Sequence, residues 1–359
     1  MAVHFHKLKV KEVRKETPDC VSIAFDIPNN ILPDFTFDAG QNITIKKEID
    51  GEEVRRSYSI CSAPFENELR VAVKKIEGGK FSGFANDSLK KGDTLDILPP
   101  TGKFNTKLDT KNAKQYLAFA AGSGITPIIS IIKTTLQTEP LSSFILAFGN
   151  RDRHSIIFFE ELEGLKNKYL SRFNFINILS REKTDAPVNS GRINTDKLKQ
   201  LNSLIDYKKT DDFFICGPEE MIFTVKDFLE LQGIDKKKIH FELFTTPGQK
   251  QSSNVSHHSL NKNTTPLSNI TVKLDGRSFD FNLGFDGETI LDAALKQGAD
   301  LPFACKGGVC CTCKAKLLEG EVDMEVNWGL EHEEVEQGYI LTCQSHPKTE
   351  KVVVDFDIK

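Results

Sequence analysis

The sequence predicts a multidomain protein: an antiparallel β-barrel, then an α/β domain with a parallel sheet, then a small α+β module. Three observations carry this prediction. Segments of alternating polarity fill the N-terminal part, apolar runs separated by helical stretches follow, and a hairpin, a helix and a cysteine-rich loop end the chain. A length of 359 residues gives room for about two to three domains of ordinary size.

Residues 1–105 are predicted to form the barrel. Three segments in this range alternate polar and apolar residues as half-buried strands do, namely 21–25, 42–46 and 69–73. Asp50-Gly51 is a turn signal between two strands. Short strands joined by such turns are typical of a small antiparallel barrel.

Residues 106–245 are predicted to form the α/β nucleotide domain. Its apolar runs cover 115–120, 144–148, 173–179 and 212–216, with helical stretches between them. Continuous apolar runs of this kind indicate strands buried on both faces, which parallel sheets with crossover helices contain.

A polar segment, 246–268, separates this domain from the C-terminal module. Ser, Asn, Thr and Lys dominate it, so it buries too little apolar surface to order itself and is predicted to be a flexible linker. The module, 269–359, contains a hairpin signal at Asp275-Gly276 and an amphipathic helix from Thr289. A final strand follows from Lys351.

Four cysteines in the C-terminal module have the spacing of metal-cluster ligands: Cys305, Cys310, Cys313 and Cys343. C-x4-C-x2-C with a distant fourth cysteine is the ligand spacing of plant-type [2Fe–2S] clusters. Gly307 and Gly308 allow the backbone to approach the cluster closely. Zinc is less well matched, because only one C-x2-C pair is present. Cys311 breaks both gaps if it replaces a neighbour, so it is predicted not to be a ligand.

An arginine, an aromatic ring and hydroxyls follow one another at Arg56, Ser57, Tyr58 and Ser59. These side chains can bind a phosphate, stack on an isoalloxazine ring and hydrogen-bond its edge, although an exposed hairpin edge would explain the strand equally well. A second segment ends in glycines and a serine before a helix predicted from Gly83 to Leu89, a natural place for a pyrophosphate. Its candidate residues are Val73, Lys74, Gly79, Phe81 and Ser82.

Two glycine-containing turns follow buried strands of the α/β domain. The first comprises Gly122, Gly124, Thr126 and Pro127 and opens a helix. It lacks the third glycine of the dinucleotide fingerprint, which argues against an ordinary Rossmann dehydrogenase. The second turn contains Cys216, Gly217, Pro218 and Met221. Taken alone, Cys216 would be interpreted as a small buried apolar residue.

Together these motifs resemble the ferredoxin–NADP reductase superfamily, which has R-x-Y-S-x-x-S, G-x-G-x-T-P and C-G-P signatures and an acidic-x-aromatic end, here Glu242 and Phe244. The resemblance implies FAD and a nicotinamide coenzyme. It also implies that Ser59, Cys216 and Glu242 surround flavin N5 and nicotinamide C4, with Phe244 covering the flavin until nicotinamide displaces it. The C-terminal module resembles the β-grasp of plant-type ferredoxins. A related reductase class with the same domain order uses FMN, so FAD and FMN both remain open.

The choice of coenzyme depends on two loops near the adenosine ribose. Ser180, Arg181 and Lys183 follow the third strand and can hold a 2′-phosphate through charge-assisted hydrogen bonds. Asp152 is the acidic candidate for a free ribose hydroxyl, and it lies between two arginines. NADPH is therefore predicted, with NADH possible.

Domain order and motifs resemble the reductase components of oxygenases. The doubled Cys310-Cys311 within 304–316, together with 56–64, resembles most closely the reductases that serve phenylacetyl-CoA epoxidases. The implied partner is a multisubunit diiron epoxidase that acts on the ring of phenylacetyl-CoA. Two alternatives remain: a reductase for another steroid, alkane or aromatic oxygenase, and an electron-carrier or redox-sensing module with a degenerate reductase portion.

Composition excludes other classes of function. A net charge of −4 gives no nucleic-acid signature. The N-terminus lacks the apolar core of a signal peptide. The longest apolar stretch, 116–132, is interrupted by polar residues, glycines and Pro127, so no membrane span is expected. An oxygen-sensitive cluster favours the reducing cytoplasm.

Overall fold

The computed structural model describes residues 4–244 and 266–358. The chain folds as two compact units, of which one runs from Phe5 to Phe244 and the other comprises the C-terminal part. Most of the predicted linker lies outside the described residues. No helix among the residues described has both the length and the apolar character needed to cross a bilayer.

The first unit begins with a six-stranded antiparallel sheet in the order β4-β3-β6-β1-β2-β5. A bridge between Ile60 and Val71 joins its two edges, so the sheet closes into the predicted barrel. Alternate residues of each strand point inward and fill its interior with Leu, Ile, Val and Phe. The elements are β1 (His6–Thr17), β2 (Cys20–Asp26), β3 (Asn42–Ile49), β4 (Glu52–Ser59), β5 (Leu69–Lys74), α1 (Lys80–Asp87) and β6 (Thr94–Ile97).

A five-stranded sheet follows, and each of its strand pairs is parallel. Its order, β11-β10-β7-β8-β9, confirms the predicted α/β domain. The carboxyl ends of the strands share one edge, where ligands of such sheets bind. The elements are β7 (Gln115–Ala121), α2 (Ile125–Thr138), β8 (Ser143–Asn150), α3 (Phe159–Lys168), β9 (Phe173–Leu179), α4 (Thr195–Leu201), β10 (Asp212–Gly217), α5 (Glu219–Leu231) and β11 (Ile239–Leu243).

Helix α2 connects the barrel to the parallel sheet. The hydroxyl of Ser130 donates a 2.6 Å hydrogen bond to the carbonyl oxygen of Ser62. Lys133 Nζ lies 2.9 Å from carboxylate oxygens of both Glu66 and Glu161. Because this ammonium is buried, removal of either carboxylate would leave a poorly compensated charge, so the bridge fixes how the two parts pack.

The second unit has a mixed sheet in the order β13-β12-β18-β14-β16. The hairpin turns at Asp275 and Gly276 as predicted, and both residues have positive φ. The Thr289 hydroxyl caps helix α6, and Gly298 follows its end at φ +85°. The elements are β12 (Leu267–Leu274), β13 (Arg277–Gly284), α6 (Ile290–Lys296), β14 (Lys314–Glu319), β15 (Val322–Met324), α7 (His332–Glu336), β16 (Tyr339–Leu341), β17 (Ser345–Pro347) and β18 (Lys351–Asp355).

Two predicted boundaries are wrong. The helix expected from Gly83 to Leu89 is α1, which begins at Lys80 and ends at Asp87. It starts earlier because the Ser82 hydroxyl accepts a hydrogen bond from the backbone N–H of Ile76 and closes the preceding turn. Strand β12 already begins at Leu267, inside the segment predicted as linker, because Leu267 and Ser268 pair with β13.

Candidate functional site

Strand β4 carries the predicted phosphate- and ring-binding residues at its carboxyl end. Arg56, Ser57 and Tyr58 are half-buried, whereas Ser59 is buried. The Tyr58 ring centroid lies 5.5 Å from that of Phe81, so the two rings pack against each other. Arg56 donates a hydrogen bond to the carbonyl oxygen of Arg55, 2.7 Å away, which orients its guanidinium. A part-exposed aromatic ring beside a guanidinium suits a flavin with its phosphates.

Ser59, Glu242 and Cys216 meet where the barrel contacts the parallel sheet. The Ser59 hydroxyl donates a 3.0 Å hydrogen bond to Oε2 of Glu242. Glu242 lies opposite Cys216 in the register of strands β10 and β11. Desolvation raises the pKa of Glu242 to about 7, and the hydrogen bond from Ser59 opposes the rise. Burial and the neighbouring Glu242 carboxyl raise the pKa of the Cys216 thiol, which therefore stays protonated.

The residues predicted to hold a pyrophosphate lie on β5 and at the start of α1. Val73 and Phe81 belong to the barrel core, so their backbone groups rather than their side chains remain for a ligand. Lys74 Nζ lies 3.5 Å from Asp19 Oδ2. Gly79 precedes the helix, and a Cβ there would lie 2.4 Å from the Ser82 hydroxyl. Ser82 is already engaged in the turn before α1.

The loop after β7 brings backbone N–H groups to the edge of the parallel sheet. Gly122 has φ +52°, a conformation that favours glycine. A Cβ at Gly124 would lie 2.1 Å from the carbonyl oxygen of Cys216, so only glycine lets the loop pack against β10. Thr126 donates a hydrogen bond to the Ser123 carbonyl at 3.0 Å, and Pro127 lies in the first turn of α2, where no backbone donor is needed.

The second glycine turn lies beside the first. Gly217 ends β10, and a Cβ there would lie 2.7 Å from the Met221 methyl group. Pro218 precedes α5, and Met221 is buried. Phe244 follows β11 as the final described residue of this unit, with 41% of its surface exposed. An apolar ring with this much exposed surface is available to cover, or be covered by, another group.

The loops predicted to contact the adenosine end lie side by side after β8 and β9. The backbone N–H of Arg181 donates to the carbonyl oxygen of Arg151 at 2.8 Å. Arg181 is exposed, whereas Arg153 is held by Glu182, with Nε 3.1 Å from Oε1. Asp152 accepts a hydrogen bond from the backbone N–H of Ser155, so its carboxylate is used to cap a short turn.

Asn150 is a polar residue that the sequence analysis missed, although it lies between Gly149 and the charged residues considered for the ribose. It is 8% exposed, and neither Oδ1 nor Nδ2 has a hydrogen-bond partner within the described part of the chain. A signal was present in the sequence, because an amide that follows a buried apolar run after a single glycine stands at the ligand-binding edge of a parallel sheet. The prediction for this loop was based on its charged side chains and did not include the neutral amide.

The four predicted cluster ligands lie together in the second unit. The sulfurs of Cys305 and Cys310 are 3.1 Å apart, and the Cys343 thiol lies within hydrogen-bonding reach of Cys305 and Cys313. The described residues hold no group of three or more side chains arranged around one metal ion. The neighbouring sulfurs form the pairs Cys305–Cys310, Cys305–Cys343 and Cys313–Cys343, which suits a group with two irons.

The backbone around these thiols is shaped for close approach. Lys306 and Gly308 have φ +50° and +70°, and a Cβ at Gly308 would lie 2.8 Å from the Val326 carbonyl oxygen. The N–H of Gly307 points at the Cys305 sulfur from 3.3 Å. Gln344 donates to the Lys306 carbonyl oxygen at 3.1 Å and ties the loop to the segment carrying Cys343. N–H groups directed at sulfur are typical of iron–sulfur sites.

Family models match all three parts of the chain. Residues 7–106 match an oxidoreductase FAD-binding domain. Residues 119–227 match an oxidoreductase NAD-binding domain. Residues 272–348 match a 2Fe-2S iron-sulfur cluster binding domain.

Two curated relatives are similar over nearly the whole chain. A component of the 1,2-phenylacetyl-CoA epoxidase of Escherichia coli K12 is 46% identical over 99% of this chain and 98% of its own. The ferredoxin reductase component of a 3-ketosteroid-9-alpha-monooxygenase from Rhodococcus rhodochrous is 33% identical over 97% of this chain and 96% of its own. The solved structure of phthalate dioxygenase reductase shares the fold, with a TM-score of 0.58, 24% identity and 98% coverage of both chains.

Proposed function

The chain belongs to the oxygenase reductases of the ferredoxin–NADP reductase superfamily that carry a C-terminal [2Fe–2S] domain, and from this premise we propose that it supplies a phenylacetyl-CoA epoxidase with electrons from NADPH. It is an NAD(P)H-dependent oxidoreductase that uses FAD and a [2Fe–2S] cluster. When bound, FAD accepts a hydride from the coenzyme, and the cluster passes electrons on singly. The observation that carries the choice of partner is the 46% identity over 99% of the chain.

The proposed division of labour follows the predicted domains, with the cluster domain extended to the start of β12: 1–105 for flavin, 106–245 for coenzyme, 246–266 as linker and 267–359 for the cluster. The barrel and the cluster domain each have an apolar core of their own, which supports this division. The core of the coenzyme domain also includes barrel residues such as Cys61 and Phe104, where the two parts pack together.

The flavin is held by the carboxyl end of β4 and by the β5–α1 segment in this proposal. Arg56 binds a phosphate, Tyr58 stacks against the ring, and Ser57 and Ser59 hydrogen-bond its polar edge. Lys74 adds positive charge, while Val73, Gly79, Phe81 and Ser82 contribute backbone groups. The half-buried Tyr58 ring and the oriented Arg56 guanidinium support these roles.

Ser59, Glu242 and Cys216 line the position where nicotinamide meets flavin in this proposal. With a pKa of about 7, Glu242 exchanges a proton readily near neutral pH, and the Ser59 hydroxyl is its hydrogen-bonded neighbour. The protonated Cys216 thiol adds no charge to the site. Phe244, exposed at the end of β11, covers the flavin when no nicotinamide is bound.

NADPH is the proposed coenzyme. Its pyrophosphate lies at Gly122, Gly124, Thr126 and Pro127, and its nicotinamide lies near Cys216, Gly217, Pro218 and Met221. Ser180 and Arg181 hold the 2′-phosphate. Two contacts support NADPH over NADH: Asp152 is engaged as a cap, and Glu182 pairs with Arg153 rather than with Arg181.

Cys305, Cys310, Cys313 and Cys343 are the proposed cluster ligands, and Cys311 is not. The neighbouring pairs of sulfurs and the N–H group directed at Cys305 support this assignment. A cluster of this kind requires reduced thiolates, so we place the protein in the cytoplasm.

Reconstitution with a purified oxygenase tests the proposed partner. The full-length protein, loaded with FAD and cluster, is mixed with NADPH, phenylacetyl-CoA and the oxygenase subunits of a phenylacetyl-CoA epoxidase. We expect phenylacetyl-CoA-dependent consumption of NADPH and formation of the epoxide. Cys343→Ser is the matched control, which should reduce ferricyanide but support no epoxidation.

A second oxygenase makes the test specific. A 3-ketosteroid monooxygenase is the rival partner, because its reductase component is 33% identical to this chain. Faster turnover with the steroid enzyme than with the epoxidase would overturn the proposed partner. Absence of NADPH oxidation in any assay would overturn the reductase function itself.

A further inference from the structure

The side-chain amide of Asn150 is buried without a hydrogen-bond partner, and Asn150 is not among the predicted coenzyme-binding residues. It is the final residue of β8 and is 8% exposed. Among the buried amide side chains that the structure describes, it is the one whose oxygen and nitrogen both lack a partner. Burying an amide without hydrogen bonds is costly, so a group absent from the polypeptide is expected to satisfy it.

The position of Asn150 in the sheet identifies its neighbourhood. Ala121 pairs with Gly149 in the parallel register, so Gly122 and Asn150 leave the sheet edge next to each other. On its other side, the Asn150 carbonyl oxygen accepts hydrogen bonds from Ser180, at 2.9 Å from the backbone N–H and 3.2 Å from the hydroxyl. Asn150 therefore stands between the glycine turn at Gly122 and the loop of Ser180 and Arg181.

We infer that the Asn150 side-chain amide binds the adenosine ribose of the nicotinamide coenzyme. The inference rests on the proposed function, which assigns the pyrophosphate to the glycine turn and the 2′-phosphate to Ser180 and Arg181. The ribose is the part of NADPH that joins these two groups. Its hydroxyl both donates and accepts, and so matches the two unpaired atoms of the amide, whereas a phosphate would satisfy the nitrogen alone.

This assignment makes Asn150 different from Arg181 in a measurable way. The ribose is common to NADPH and NADH, so loss of the amide weakens the binding of both coenzymes. Loss of the Arg181 guanidinium weakens the binding of NADPH alone, because only NADPH has a 2′-phosphate. Because neither group lies near the transferred hydride, both changes act on KM and leave kcat nearly constant.

Binding of coenzyme fragments to the full-length holoprotein tests the inference. We compare wild type, Asn150→Ala and Arg181→Ala by calorimetric titration with 2′,5′-ADP, 5′-AMP and nicotinamide mononucleotide. Asn150→Ala should weaken the binding of both adenosine fragments about tenfold, equivalent to ~1.4 kcal/mol, and leave the affinity for the mononucleotide unchanged. Arg181→Ala should weaken 2′,5′-ADP alone. Asn150→Ser, which keeps a donor and an acceptor, should recover part of the affinity.

Thermal unfolding separates a binding role from a structural one. Because the amide has no partner in the described part of the protein, Asn150→Ala should melt within about two degrees of wild type. Unchanged affinity for both adenosine fragments, or an equal loss of mononucleotide binding, would overturn the inference. If Asn150→Ala does not fold, the same criteria apply to Asn150→Ser. Failure of the wild type to oxidise NADPH would instead count against the proposed function.

Discussion

Glu242 is the residue whose charge should respond most to pH. The protein raises its pKa from 4.5 to about 7, so the folded protein binds this proton more tightly than the unfolded chain. Its contribution to stability is therefore present below about pH 4.5 and is lost as the pH rises through 7. We expect flavin-free wild type to lose stability relative to Glu242→Gln between about pH 5 and about pH 8.

Calorimetric melting at both pH values checks this expectation. Glu48→Gln is the control for loss of a strand carboxylate, because Glu48 is exposed on β3. If wild type and Glu242→Gln changed equally in stability between the two pH values, the raised pKa of Glu242 would be contradicted. The same variant should also flatten the pH dependence of flavin reduction near neutrality.

Arg181 should decide between the two coenzymes. It is exposed next to Ser180, and a charge-assisted contact with phosphate contributes roughly 1.5–3 kcal/mol. Arg181→Ala should therefore raise KM for NADPH by about one to two decades and change KM for NADH little. Steady-state kinetics with both coenzymes at fixed salt measures the difference. An equal loss with NADH would mean that Arg181 supports the loop rather than a phosphate.

Two cysteines of the cluster module, Cys343 and Cys311, provide a matched comparison. Cys343 is buried near Cys305 and Cys313, whereas Cys311 is half-buried next to Cys310. Cys343→Ser should abolish or strongly distort the visible absorption of the two-iron cluster, because serine replaces one of its ligands. Cys311→Ser should leave the spectrum intact. A normal spectrum in Cys343→Ser would refute the ligand assignment.

Among the elements, the turn between β7 and α2 depends on one glycine. A Cβ at Gly124 would lie 2.1 Å from the Cys216 carbonyl oxygen, so Gly124→Ala must push β10 away. We expect a loss of ~1–3 kcal/mol in the free energy of unfolding and weaker NADPH binding. Chemical denaturation and coenzyme titration measure the two effects.

Gly164→Ala is the control for this substitution. Gly164 lies in α3, and a Cβ there meets nothing within 4 Å. Alanine in a helix interior is more favourable than glycine by roughly 0.5–1 kcal/mol, so this variant should be slightly more stable. Wild-type stability in Gly124→Ala would show that the turn can relax without cost.

Elements with a clear pattern of apolar and polar residues were predictable from the sequence. Element boundaries that depend on a single contact were not. The parallel strands of the α/β domain and the β12–β13 hairpin follow from apolar runs and turn residues. The start of α1 was predicted three residues too late, because the Ser82 hydroxyl fixes the turn through a contact that no period reveals. For Asn150 the sequence indicated a place at the edge of the sheet, but only the packing around it shows that its amide is unpaired.

For the whole molecule, the hardest features to predict were contacts between distant segments. Ser59 and Glu242 are separated by 183 residues and share a hydrogen bond. Polarity patterns assign each of them to a strand, but only the packing of the barrel against the sheet brings them together. Resemblance to a known superfamily supplied that link, and Lys133 shows how the packing is held, through carboxylates on both parts.

Separate apolar cores in the two units predict that the reductase portion works alone. A fragment ending at Thr246 keeps the barrel and the parallel sheet, so it should still reduce ferricyanide with NADPH at about the full-length rate. A fragment beginning at Pro266 should fold with its cluster, whereas one beginning at Asn269 lacks the residues that start β12 and should be less stable. Absorption spectra and ferricyanide assays measure both.

Supply of electrons to the oxygenase should be fastest when both units belong to one chain. Covalent connection keeps the cluster domain at a high effective concentration near the flavin, so mixed fragments should support epoxidation more slowly than the intact protein at equal concentration. The difference should shrink as the cluster fragment is added in excess. If the fragment ending at Thr246 supplied the oxygenase without any cluster domain, electrons would not need to pass through the cluster, and the proposed order of transfer would be wrong.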